Sequence, residues 1–155
     1  MAQRRRNGTA ILDGTDVRLV QALEANARAS LADLARAVSL SPQSVSERLK
    51  RLEDLGVITG FTVKLDPRAL GLGIAAYIRV RPMMGELPRV AKLIQDSPEV
   101  VECDRITGDD CFIAKLFVER VEDLERVIDR LIPYAQTNTS IVQSSPVERR
   151  LPPYG

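Results

Sequence analysis

Between positions 12 and 56 the apolar residues recur at helical spacing in three blocks. Leu19, Val20, Leu23 and Ala27 form the first stripe, the pattern of a helix with one apolar face. Asp13, with Asp16 three residues on, marks its N-terminal cap. Leu31, Leu34, Ala35 and Val38 are expected to face inward in the second block, which Ser30 and Asp33 open as a reciprocal capping pair. In the third, Val45, Leu49, Leu52 and Leu55 lie at i, i+4, i+7 and i+10. It opens at Ser41 with Pro42 in the first turn, where the missing N–H costs nothing, and Gly56 ends it.

The period then changes. Phe61, Val63 and Leu65 alternate with Thr62 and Lys64, which predicts a strand over residues 57–66. Asp66-Pro67 stops it, and residues 67–72 read as a turn containing Gly71. The remainder alternates strand and helix. Residues 73–81 are strand-like, with Ala76, Ile78 and Val80 on one face. Residues 86–96 are helical through Leu87, Val90, Ala91 and Ile94. Residues 99–106 and 111–118 are strands joined by the turn Thr107-Gly108-Asp109-Asp110. Residues 121–131 form a helix with Val121, Leu124, Ile128 and Leu131 inward, and residues 138–144 a last strand.

This order, βαββαβ, is the ferredoxin-like arrangement. The expected fold class is therefore α+β: an N-terminal helix-turn-helix domain of winged type and a C-terminal ferredoxin-like domain. The expected boundaries are a basic arm over 1–11, the helix-turn-helix over 12–59, a linker strand and turn over 60–72, the ferredoxin-like domain over 73–147, and a tail over 148–155. Cores of this size are marginal alone, which favours oligomers.

Charge changes the picture only locally. The chain has 22 basic and 21 acidic residues, net +1, so bulk charge does not point to nucleic acid. Arg4, Arg5 and Arg6 concentrate positive charge at the N-terminus; such an arm either approaches phosphates or is a solvated terminus. There is no apolar run long enough to span a membrane and no signal-peptide core, so a cytoplasmic location without membrane contact is expected. With no histidine and two cysteines, His-based catalysis and most zinc sites are excluded. No nucleophile–base pair, metal-ligand cluster or phosphate-cradling loop is recognisable. The expectation is no catalytic residue, no metal and no cofactor.

The third helix carries the candidate chemistry. Three helices with Ser39-Leu40-Ser41 at a tight turn before the third match a helix-turn-helix, whose third helix enters the major groove of double-stranded DNA. Its predicted DNA-facing residues are Gln43, Ser44, Ser46, Glu47, Arg48, Lys50 and Arg51. Gln suits adenine, Ser several bases, and Glu the amino group of cytosine. Arg48, Lys50 and Arg51 are expected to neutralise phosphates. The other reading of the same pattern is a trihelical bundle with a merely soluble outer face.

The residues also resemble a family. Leu12-Asp13-x-x-Asp16-x-x-Leu19-Val20-x-x-Leu23, Asn26-Ala27-Arg28-Ala29-Ser30-x-x-Asp33-Leu34-Ala35 and Ser41-x-x-x-Val45-x-x-Arg48-Leu49-x-x-Leu52-Glu53-x-x-Gly56-Val57-Ile58-x-Gly60-Phe61 are similar to the three helical signatures of the Lrp/AsnC (feast/famine) transcription regulators. Leu65-Asp66-Pro67-x-x-Leu70-Gly71 resembles their linker. The resemblance runs from residue 12 to about residue 147. It implies a regulator that binds DNA as a dimer, assembles into larger rings, commonly octamers, and responds to small molecules, usually amino acids, held between dimers. Thr107, Gly108, Asp109 and Asp110 resemble one effector segment, and Thr137, Asn138, Thr139 and Ser140 a second. The family's aspartate falls on Cys111 here, with Asp110 one place earlier.

Gly108 permits close backbone approach, an aspartate suits an ammonium group, and hydroxyls suit a carboxylate. The plain readings are a hairpin turn and a polar strand entry whose hydroxyls serve their own backbone. A four-residue connection would pair Ile106 with Cys111 and place Cys103 opposite about Ala114, too far from Cys111 for a disulfide. Met83-Met84 suits either a subunit contact or a simple loop. Besides an effector-responsive regulator, an architectural DNA-binding oligomer without ligand response fits these features, while an enzyme built on Asp109, Asp110 and the cysteines fits them poorly.

Overall fold

The computed structural model describes residues 12–154. The basic arm expected over residues 1–11 lies outside them. The described chain forms two compact units: residues up to Val63 together with the tail from Arg149, and Lys64–Glu148.

The first unit contains α1 (Gly14–Ala25), α2 (Leu31–Val38) and α3 (Pro42–Asp54). The expected caps are all present. Asp13 accepts the backbone N–H groups of Thr15 and Asp16 and completes a capping box with Asp16, and Ser30 does the same with Asp33. Ser41 accepts from the Ser44 N–H, with Pro42 in the first turn. These contacts satisfy donors that a helix start leaves without partners. The core is Leu19, Leu34, Ala35, Val38, Val45 and Leu52. Val20, Leu23 and Leu49 pack against it partly buried, and three further expected inward positions, Ala27, Leu31 and Leu55, are exposed. Leu31 is the first residue of α2 and Leu55 caps the end of α3, and Ala27 lies past the end of α1. The tail returns to this unit, where the Tyr154 hydroxyl donates to Glu24 at 2.6 Å.

No strand forms between α3 and Lys64 among the described residues. No neighbouring strand among the described residues pairs with the segment expected to be a strand. Phe61, Val63 and Leu65 are left 57, 76 and 62% exposed. Alternation predicts a strand only where another strand completes the ladder. The turn over 67–72 is a single 3-10 turn, Arg68–Leu70, closed by Gly71 at φ 83°.

The second unit is a four-stranded antiparallel sheet with two helices on one face. Its elements are β1 (Ile74–Pro82), α4 (Leu87–Gln95), β2 (Val100–Arg105), β3 (Phe112–Val118), α5 (Val121–Leu131) and β4 (Ala135–Ile141), in spatial order β2-β3-β1-β4. Ala76, Ile78 and Val80 of β1 pack with Phe112, Ala114, Leu116 and Val118 of β3 beneath Val90, Ile94, Leu124, Val127 and Leu131 of the helices. Val121 is exposed and Val127 is the buried residue instead, because α5's apolar stripe starts one turn later than expected. The β2–β3 hairpin has the expected register, with the Ile106 N–H donating to the Cys111 carbonyl at 2.9 Å and Cys103 opposite Ala114. The last strand starts at Ala135 rather than residue 138. Its ladder with β1 runs from Pro82–Ala135 to Ala76–Ile141, so the partner strand, not the apolar Ile141-Val142 pair, sets its limits.

Candidate nucleic-acid interface

The turn that launches α3 is built by Ser39. This residue adopts the left-handed conformation, φ 57° and ψ 47°, at the end of α2, and its N–H donates to the Ala35 and Arg36 carbonyls. Leu40 N–H also reaches the Ala35 carbonyl at 3.0 Å. A left-handed residue here ends α2 within one peptide unit. Ser41 can then cap α3, and its Oγ lies 2.9 Å from Ser44 Oγ.

An ion cluster fixes α3 against α1. Asp16 is fully buried. Its carboxylate accepts the Asp13 N–H at 3.1 Å, Arg48 Nη1 at 2.8 Å and Arg51 Nη2. Arg48 Nη1 also donates to Asp13 Oδ2 at 2.7 Å. Burial pushes the Asp16 carboxyl up. The Asp13 N–H and the guanidinium groups of Arg48 and Arg51 outweigh that and hold it below the usual aspartate range. The Arg48 hydrogen bond likewise lowers Asp13, and the Asp13 and Asp16 carboxylates raise Arg48. A carboxylate at this depth survives only when paired.

This cluster changes the reading of two predicted contacts. Arg48 is not a fully outward residue: its side chain is 31% exposed and ties α3 to α1. Arg51 is more open but also engages Asp16. Both are expected on phosphates, and in the fold both also pair with acids at the start of α1. The cluster was detectable in one respect. Asp16 stands four residues after Leu12 and three before Leu19, on the apolar face of α1, where an acid requires a partner. Its partners, 32 and 35 residues away, give no local sign.

Gln43, Ser46, Glu47 and Lys50 are exposed, while Ser44 is half-buried by its cap contact. Gln43 and Glu47 are one turn apart, and Gln43 Nε2 donates to Glu47 Oε1 at 3.2 Å. Ser44, Glu47, Arg48 and Arg51 line an open groove with Asp13 and Leu40, about 560 Å³ in volume. The helix thus presents hydrogen-bonding groups at its N-terminal end above a locked base.

The predicted effector residues are only partly brought together. Thr107, Gly108, Asp109 and Asp110 form the β2–β3 turn, with Gly108 at φ 113°. Arg81 holds this turn by donating through Nε to the Asp109 carbonyl at 2.6 Å. Thr137 pairs with Val80, next to Arg81, so it lies at the same end of the sheet. Thr139 and Ser140 lie farther along β4, inside the strand rather than at its entry. Thr139 is opposite the buried Ile78 and shares the helix-covered face. Ser140 is opposite the exposed Tyr77 on the other face. Successive strand residues cannot both line one face. Among the described residues no group of three or more acids and cysteines could hold a metal ion, and no helix is long and apolar enough to cross a membrane.

Comparison with known proteins agrees with this architecture. Residues 12–53 match the AsnC-type helix-turn-helix domain and residues 75–152 the Lrp/AsnC ligand binding domain. The chain belongs to the Lrp/AsnC family. It is 34% identical to the HTH-type transcriptional regulator LrpC of Bacillus subtilis over 133 residues, covering 86% of this chain and 92% of that protein. The solved LrpC structure superposes with a TM-score of 0.84, covering 90% of this chain and 99% of LrpC. A transcriptional regulator of Neisseria meningitidis, solved in complex with L-methionine, has a TM-score of 0.83 at 28% identity, covering 92% and 97% of the two chains. The proline dehydrogenase transcriptional activator of Rhodobacter capsulatus is 30% identical over 151 residues, covering 93% of this chain and 98% of that protein. Helix-turn-helix transcription regulation is thus the family's business, and the α+β class read from the sequence holds.

Proposed function

We propose that this Lrp/AsnC protein is a cytoplasmic, sequence-specific regulator that reads duplex DNA with the N-terminal end of α3. The observation that carries this reading is the division of α3. One edge, Arg48 and Arg51, is pinned to Asp16, and the adjacent face leaves Gln43, Ser46, Glu47 and Lys50 exposed. Residues 12–59 would bind DNA, and residues 73–147 would assemble the protein and hold an effector. Pairing of the Phe61–Leu65 segment with its mate in a second copy would satisfy unpaired backbone and cover three exposed apolar side chains. It would also set two recognition helices on half-sites of a pseudo-palindrome. Dimers would then join, up to an octamer.

An effector of amino-acid type would meet the Thr107–Asp110 turn first, with the Gly108 backbone toward a carboxylate and Asp109 or Asp110 toward an ammonium. The Neisseria regulator's complex with L-methionine supports an amino acid as the class. The opposed faces of Thr139 and Ser140 favour a second reading, an architectural DNA-binding oligomer without ligand response.

Selection from randomised duplexes, followed by light scattering and a thermal-shift screen of the twenty amino acids, separates the two readings. The regulator reading expects an enriched pseudo-palindrome, a dimer or larger species, and an amino acid that raises the melting temperature. Enrichment of no sequence, with tight binding to every duplex and no stabilising amino acid, would leave the architectural reading. A monomer that binds no duplex refutes both.

A further inference from the structure

We propose that Gln43 reads adenine in the major groove and that Glu47 is the positioning residue that holds its amide in the reading orientation, without contacting a base itself. The proposal rests on the DNA-binding reading above and assigns its specificity to one side-chain pair.

A primary amide carries two N–H donors and one carbonyl acceptor. In the structure one donor of Gln43 is engaged, Nε2 to Glu47 Oε1 at 3.2 Å. One N–H and the carbonyl oxygen remain available to a base. Adenine presents one acceptor, N7, beside one donor, the N6 amino group. That edge alone matches both remaining groups. Guanine offers two acceptors and leaves the Gln43 oxygen unpaired. Cytosine offers only a donor and thymine only an acceptor. The Glu47 contact also fixes which end of the amide is nitrogen, so the pair cannot present its donor and acceptor in the opposite order.

Glu47 has a second consequence. Its carboxylate faces a surface that must approach phosphates, so on charge alone it weakens binding to every duplex. Its compensating role is in orienting Gln43. Both side chains are exposed, and neither belongs to the core or to the Asp16 cluster, so their substitution leaves the helix packing unchanged.

The test is base selection from randomised duplexes with the full-length protein and three variants, Gln43→Ala, Glu47→Gln and Glu47→Ala, each checked by circular dichroism. The parent should select adenine at one position of each half-site, roughly 5- to 140-fold over the other bases, the range expected for one good bidentate contact. Gln43→Ala should accept any base there. Glu47→Gln retains an acceptor for Gln43, so it should keep adenine while binding all duplexes more tightly. Glu47→Ala should also bind more tightly overall but lose about two- to tenfold of the adenine discrimination, the worth of one hydrogen bond. The proposal is overturned by an unchanged preference in Gln43→Ala, or by a cytosine preference that Glu47→Gln abolishes, which would make Glu47 a direct reader. A parent protein that binds DNA without any base preference also overturns it while leaving DNA binding intact, and a parent that binds no duplex removes the reading on which it rests.

Discussion

The two units of this protein are held together by different means. The sheet unit buries thirteen apolar residues in one cluster, the helical unit only six. The helical unit relies more on side-chain caps and a buried ion cluster. Each of its helices starts on a side chain that accepts backbone N–H groups, Asp13, Ser30 or Ser41. The N-cap positions of α4 and α5 are Glu86 and Arg120, and neither side chain accepts a backbone N–H. The helical unit also has a fully buried acid with two arginines, whereas the buried polar residue of the sheet unit is Ser97, which donates to the Leu93 carbonyl at 2.8 Å. The difference follows from size: a small core leaves much of the folding cost uncovered. Directional contacts supply part of the remainder, and they fix the angle of α3, which apolar packing alone leaves looser.

The largest effect expected is in the sheet unit. Leu116 of β3 is fully buried beneath the helices. Leu116→Ala should cost about 2–5 kcal/mol, read by urea denaturation. Hydrogen exchange should quicken in β1–β4 and leave α1–α3 unchanged. Equal acceleration in α1–α3 would mean that the two units unfold as one, and the contrast drawn between them would fail.

Asp16→Ala tests the other side of the comparison. It should cost about 2–3 kcal/mol, below the usual range for breaking a buried pair because Arg48 and Arg51 can still reach water. Exchange should now quicken in α1 and α3, and DNA affinity should fall although Asp16 touches no DNA. The same residue sets a pH dependence. Its folded carboxyl is held below the ordinary aspartate value of 3.8, so it contributes stability that is fully present above that value and is lost as pH falls through the depressed one. The helical unit should therefore melt lower below about pH 4 and show no such change between pH 6 and 8. In Asp16→Asn the acid-side slope should be shallower. An unchanged slope would show that the cluster does not stabilise the fold.

The helical unit was the more legible of the two in its boundaries, because caps are local signals. Ser30 with Asp33 and Ser41 with Pro42 mark their helices within four residues. In the sheet unit, β1 and β3 were legible from alternation alone, and the turn length gave the β2–β3 register. What escaped was non-local. The start of β4 depends on its ladder with β1 across Ala135, Gln136 and Thr137, which carry little apolar pattern. Phe61–Leu65 shows a strand pattern whose partner is not within the described chain. The pairing of Arg48 and Arg51 with Asp16 has no sign near either arginine in sequence. The exposure of Gln43, Ser46, Glu47 and Lys50 on α3 was legible from its helical period, whereas the pairing of Gln43 with Glu47 is visible only in the fold.

The smallest effect expected concerns a single cap and isolates the directional part of the contrast. Ser30 Oγ accepts the Asp33 N–H at 3.1 Å, and Asp33 Oδ2 accepts the Ser30 N–H at 3.2 Å in return. Ser30→Ala removes the first bond, together with the one the hydroxyl donates to Asp33 Oδ2 at 2.6 Å, and leaves the second. It should cost about 1 kcal/mol, as N-cap serines do when replaced by alanine. α2 has only eight residues, too few to persist in water without packing or caps, so the loss should appear as faster exchange at the first amides of α2. The Leu34 and Val38 contacts should hold the rest of the helix. Because α2 contributes none of the exposed reading groups, DNA affinity should change only as far as the folded fraction changes, and base preference not at all. A Ser30→Ala protein with parental stability would show that the caps are incidental and that six buried side chains suffice for this unit.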